Sequence, residues 1–146
     1  MTYFSTIRNI FLFFVFFTFS GAQDPQFQYL KTPDGVNLRI AKWINSTPNL
    51  HSKTILFLEG RASFIEKNQE TIQNLLLQGH DVWVFDWRGQ GGSSHLLENP
   101  QKIHIDDYET YLKDLYQIVH QVVKPSARFP LVFLGVSFGG HMALRY

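Results

Sequence analysis

Three short, unbroken apolar runs constrain this chain more than any other feature: Thr54-Ile55-Leu56-Phe57-Leu58, Val82-Trp83-Val84-Phe85 and Leu131-Val132-Phe133-Leu134. A strand with one wet face alternates apolar and polar residues, so a continuous run of four or five β-branched and aromatic residues predicts a strand covered on both faces. Each run is followed by a segment of helical period. Ile65, Ile72, Leu75 and Leu76 share one face before Gly79, and Tyr108, Tyr111, Leu112, Leu115, Ile118, Val119 and Val122 form a longer stripe. Strand alternating with helix predicts an α/β domain with a doubly wound, mostly parallel sheet. An antiparallel hairpin precedes it, because Phe27–Lys31 and Val36–Ile44 alternate on either side of the turn Pro33-Asp34-Gly35. Ser63-x-x-Glu66 and Asp106-x-x-Glu109 have the spacing of capping boxes for the two helices.

The first 22 residues have a different character. Seven of the 14 phenylalanines fall there, and Arg8 is the segment's one charged side chain. An apolar run from Ile10 to Phe19 leads into Ser20-Gly21-Ala22, the small residues a signal peptidase reads. Ten apolar residues make only about 15 Å of helix, half of a bilayer's hydrocarbon core. The segment 1–22 therefore reads as a cleaved export signal rather than an anchor, with the mature chain starting near Gln23. That places the product in the periplasm or outside the cell, with no stable membrane span in the mature chain.

Composition narrows the chemistry. The 13 Lys and Arg against 12 Asp and Glu leave a nearly neutral body, which argues against nucleic acid as a partner. With no cysteine there is no disulfide framework, no thiolate metal site and no catalytic thiol. Nor do the six histidines have metal-ligand spacing, so no metal and no cofactor is expected. Asn45-Ser46-Thr47 is a glycosylation sequon, relevant only in a eukaryotic secretory pathway.

The third apolar run ends in Gly135-Val136-Ser137-Phe138-Gly139, with Gly140 beyond and a helical pattern following. This is G-x-S-x-G between a strand and a helix, the context in which the motif has a mechanism. A serine at so sharp a turn adopts strained backbone angles, and small residues two before and two after it let strand and helix approach. The turn exposes Ser137 as a candidate nucleophile and aims the Phe138 N–H at the oxyanion that forms on attack. The glycines of Gly89-x-Gly91 follow a strand too, but Ser94 stands where a dinucleotide site needs its third glycine, and no helix opens behind it.

Together, LFLEGRASFIEK, DVWVFDWRGQGGSS and FLGVSFGGHMALRY resemble the serine α/β-hydrolases, in particular the branch of lysophospholipases and monoacylglycerol lipases also grouped as serine aminopeptidase-type hydrolases. The resemblance covers residues 27–146. It implies the α/β-hydrolase fold with strand order 1-2-4-3-5, and hydrolysis of an ester or lysophospholipid substrate. It also implies that the Arg61 backbone N–H is the second oxyanion donor, although Glu59 stands where the family usually has histidine and Val136 at another frequent histidine position. Asp86-Trp87-Arg88-Gly89-Gln90-Gly91-Gly92-Ser93 is similar to the family's D-x-R-G-x-G-x-S loop, which shapes the site entrance. A serine is inert without a histidine base held by a carboxylate. In this family both follow the serine, so residues 23–146 are expected to be the amino-terminal part of the domain, a truncated form without the acid and base of the triad. None of His51, His80, His95, His104, His120 and His141 is assigned as the base. A non-catalytic remnant or interaction module that kept the sheet is the alternative.

Overall fold

The computed structural model describes residues 24–146, so the expected export signal lies outside the described residues. Five strands form one sheet in the order β1-β2-β4-β3-β5. They are β1 (Gln26–Lys31), β2 (Asn37–Trp43), β3 (Thr54–Leu58), β4 (Asp81–Phe85) and β5 (Leu131–Gly135). The hairpin β1–β2 forms as its alternation predicts, with Phe27 opposite Ala41 and Tyr29 opposite Arg39. It is not a separate unit: β2 pairs antiparallel with β4, while β3 pairs parallel with both β4 and β5. The sheet is thus mixed, and its parallel half is the part that carries the apolar runs.

Helices cover both faces. On one, α1 (Gln69–Leu77) packs Ile72 and Leu76, with Ile65 ahead of it, against Ala41, Trp43, Phe57, Val82 and Val84. On the other, α2 (Glu109–Gln117) and α4 (Phe138–Arg145) cover Leu38, Ile40, Leu56, Leu58, Trp83 and Phe85. Full burial of each such large side chain stabilises by about 1.5–3 kcal/mol, which explains why every residue of β3 and β4 is buried. No described helix is long and apolar enough to cross a membrane.

Three local expectations are corrected. Neither capping box forms. Glu66 reaches Arg39 instead, Asp86 takes the Ile65 N–H at 2.9 Å, and the first helix begins as a 3-10 turn, Ile65–Asn68. In the second, Asp106 turns to His104 and Glu109 to Arg145, while Asp107 accepts the Glu109 N–H at 3.0 Å. For Glu66 and Glu109 a distant arginine outcompetes the local cap because it offers a charge-assisted bond. The long stripe is also interrupted: α2 passes into a π-helical stretch, Ile118–Val123, before the short turn α3 (Lys124–Ser126). The wider turn adds a residue, so Val123 rather than Val122 is fully buried. Finally, β5 is not covered on both faces. Leu131 and Phe133 pack on the core, while Val132 and Leu134 remain 42% and 37% exposed.

Candidate active site

The chain turns from β5 into α4 at Ser137. This residue has φ 51° and ψ −115°, in the region that favours glycine, and its side chain stands exposed at the carboxyl end of the parallel strands. The strain is held from both sides. Val136 N–H donates to Leu58 O at 3.0 Å, and His141 N–H donates to Ser137 O at 3.1 Å. A Cβ on Gly139 would collide with the carbonyl oxygens of Leu58 and Glu59, and one on Gly135 would lie 2.5 Å from Gly140 Cα. The two glycines of the motif are therefore steric requirements of the way α4 crosses β3 and β5.

The end of β3 forms the opposite wall. Gly60 lies so close to the turn that a Cβ on it would be 3.6 Å from Ser137 Cβ. This contact brings the Glu59-Gly60-Arg61 segment beside the serine. The Phe138 amide begins a helix, where N–H groups lack intrahelical acceptors, and neither it nor the Arg61 amide has a hydrogen-bond partner among the described residues. Free amides beside an exposed hydroxyl are the groups that can receive an oxyanion. The three residues singled out from sequence, Ser137, Phe138 and Arg61, thus converge on one place.

The Phe138 ring closes the floor. It packs edge-on against Trp87 and Tyr111, with centroids 5.2 and 4.9 Å away. A cavity of about 140 Å³ opens beside it, lined by Arg61, Gln90, Ile103, Ile105, Tyr108 and His104 among others. His104 is the one histidine lining this cavity, and its Nε2 lies 3.0 Å from Asp106 Oδ1. No side chain hydrogen-bonds Ser137 Oγ among the described residues. Nor is any group of three His, Asp or Glu placed to hold a metal among them.

The loop after β4 braces the site, as its position predicts, through groups that sequence reasoning did not single out. Trp87 Nε1–H donates to Glu59 O at 3.0 Å, and Gln90 Oε1 accepts the Ala62 N–H. Ala62 itself has φ 59°, so the segment after Gly60 is a second strained turn. Arg88 anchors the loop from below by forking onto Asp114 at 2.6 and 2.7 Å and reaching Asp34 at 2.7 Å. Burial pushes the Asp114 carboxyl up against the opposing pull of Arg88, whereas Arg88 holds the half-exposed Asp34 down at about 2. Asp86, at the strand end, accepts from Arg39 Nε, Ile65 N–H and Gly92 N–H at 2.6–2.9 Å. The one usable sequence signal for these roles was the D-x-R-G-x-G-x-S spacing, which marks the loop but not its partners.

Known proteins share both sequence and fold with this chain. A family model described as serine aminopeptidase, S33, matches residues 50–146. Lysophospholipase L2 of Escherichia coli strain K12 is 32% identical over 90 residues, which is 62% of this chain and 26% of that protein. A probable lysophospholipase L2 of Haemophilus influenzae is 33% identical over 94 residues, or 64% and 29%. The chain therefore spans less than a third of the length of these curated relatives. A soluble variant of monoglyceride lipase from Saccharomyces cerevisiae, in complex with a substrate analog, superposes with a TM-score of 0.67 at 23% identity, covering 86% of this chain and 38% of the lipase. Mouse alpha/beta hydrolase domain-containing protein 10 superposes with a TM-score of 0.62 at 23% identity, covering 82% and 43%.

Proposed function

The chain belongs to the serine aminopeptidase S33 family and has the α/β-hydrolase fold, and from that premise we propose that the whole protein is a serine hydrolase of lipid carboxylic esters, of the lysophospholipid or monoacylglycerol kind. The observation that carries this reading is the exposed Ser137 at φ 51°, held between two sterically required glycines and flanked by two free amides. The names of the lysophospholipase relatives support the substrate class.

In this mechanism Ser137 Oγ attacks the ester carbonyl carbon and its proton passes through a general base to the departing alcohol oxygen. The carbon–oxygen bond to the alcohol breaks as an acyl-serine forms, and water then releases the fatty acid. The negative charge that develops on the carbonyl oxygen is received by the Phe138 and Arg61 amides, and loss of one such donor costs about 100- to 1000-fold in kcat. The strained turn keeps Oγ clear of the sheet, so little reorganisation is needed at attack. Phe138, Tyr108, Ile103 and Ile105 line the adjacent cavity with apolar surface suited to the start of an acyl chain.

The test uses the full-length protein, a fluorophosphonate probe and assays on a lysophospholipid and a monoacylglycerol. Wild type is expected to be labelled and to release fatty acid, and Ser137→Ala to do neither. Labelling that survives the alanine change overturns the assignment, and the absence of both labelling and turnover in wild type favours a non-catalytic module.

A further inference from the structure

Glu59 ends β3 immediately before the loop that carries the Arg61 amide, and it is fully buried, at 0% exposure. Its Oε1 accepts one hydrogen bond, from Asn68 Nδ2 at 2.7 Å. Its Oε2, equally buried, has no partner among the described residues. The charged groups that face it are Asp86, Glu66 and Arg39. Arg39 is already divided between the other two, with Nε on Asp86 at 2.6 Å and its terminal nitrogens on Glu66 at 2.8 Å. Arg39, the one cation among the described residues that face it, is thus already committed, and an unpaired buried charge is among the costliest states a side chain can occupy. Of its two states, the neutral acid is the less costly in this place.

What that acid holds is specific. The same Asn68 Nδ2 reaches Ser63 Oγ at 3.0 Å and Phe64 O at 3.1 Å. Asn68 therefore ties the far end of the 60–64 loop to the end of β3 through the Glu59 carboxyl. Between these ties sits Ala62 at φ 59°, which relaxes unless the turn is held on both sides. Gln90 holds one side and the Glu59–Asn68 pair the other. Since Gly60 abuts Ser137, any opening of the loop carries the Arg61 amide away from the serine.

We propose that Glu59 is a positioning residue acting as a neutral acid: through Asn68 it clamps the 60–64 loop against Ser137, and loss of its proton releases the clamp. Ionised, the carboxylate accepts a stronger bond from Asn68, but burial and the like charge of Asp86 outweigh that bond and drive it from its place, taking the tie to Asn68 with it. Burial first, and the Asp86 carboxylate second, push this carboxyl up to about 8, so release falls in a pH range that is easily reached. The catalytic consequence rests on the hydrolase reading above, but the protonation and the loop movement do not.

Three measurements on the full-length protein test it. Thermal unfolding of wild type and Glu59→Gln across pH reads the proton directly. The folded state keeps it while the unfolded chain releases it near 4.5, so wild type is expected to lose stability relative to Glu59→Gln between pH 4.5 and about 8 and to level off above. Parallel curves refute the neutral acid. By NMR, the Ala62 amide signal is expected to shift through a transition near pH 8 in wild type and to stay flat in Glu59→Gln. A flat wild-type signal refutes the clamp even if the protein proves not to be a hydrolase, an outcome that the fluorophosphonate probe detects separately. In ester assays, Glu59→Ala and Asn68→Ala are expected to lower kcat about 10- to 100-fold with KM little changed, as displacement of an oxyanion donor does. Glu59→Gln is expected to restore kcat and to hold it above pH 8, where wild type declines. An alkaline decline shared by Glu59→Gln, or alanine variants that lose stability but keep kcat, overturns the positioning role.

Discussion

Removing Asp114 should destabilise this fold far more than removing Asp34, although both carboxylates hold the same guanidinium. Arg88 is 5% exposed in its side chain and Asp114 0%, and two bonds of 2.6 and 2.7 Å join them. Asp34 is 53% exposed and meets Arg88 at 2.7 Å. Breaking a buried pair by deleting one partner costs about 3–5 kcal/mol, because the remaining charge is left in a dry site. Asp34 still offsets part of the Arg88 charge, so Asp114→Ala belongs at the lower end, about 3 kcal/mol, or roughly a 150-fold change in the unfolding constant. Deleting Asp34 removes a partner that water replaces, worth about 0.2–1 kcal/mol. Urea titration of the full-length protein, followed by fluorescence of the buried tryptophans, Trp87 beside Arg88 among them, measures both. The double change Arg88→Met with Asp114→Leu removes charge and partner together and should recover most of the loss. Equal costs for the two alanine variants, or a double variant worse than Asp114→Ala, would refute the argument. Acid adds a sign check. Asp34 is held at about 2 against an ordinary 3.8, so its contribution is present above pH 3.8 and is lost as pH falls towards 2, and Asp34→Ala should abolish that part of the acid sensitivity.

Other outcomes follow from single features. Gly139→Ala places a methyl group against the Leu58 and Glu59 carbonyls, so probe labelling of the full-length protein should vanish and stability fall by about 1–3 kcal/mol; a stable, labelled variant would contradict the packing at the turn. In a chain of these 146 residues, the exposed Val132 and Leu134 leave β5 as an apolar edge that should self-associate, and Val132→Lys should shift size-exclusion elution towards monomer. Mass spectrometry of the mature protein should find an amino terminus at or near Gln23, and intact Met1 would contradict cleavage of the leading apolar segment.

Some of this molecule was legible residue by residue. The apolar runs at 54–58 and 82–85 marked doubly covered strands because burial on both faces leaves no polar period, and the alternation about Pro33-Asp34-Gly35 marked the hairpin. The spacing of Gly135, Ser137 and Gly139 placed the strained serine correctly, since that strain is a matter of sterics within five residues. These signals act at short range, and nothing elsewhere in the fold overrides them.

The rest depends on which distant groups meet. Glu66 and Glu109 had the spacing of caps, yet Arg39 and Arg145, 27 and 36 positions away, took them instead. The π-helical turn moved burial from Val122 to Val123, a register that no periodic pattern encodes. Gln90 bonds Ala62 from 28 positions away, and Asp86 faces Glu59 across the interior. A hydrogen-bond partner is chosen by what packing brings within 3 Å, and the charge state of a buried acid by which cations packing has already committed. Sequence therefore located the strained serine, while the folded interior determined how the loop beside it is held and which groups surround the glutamate that anchors that loop.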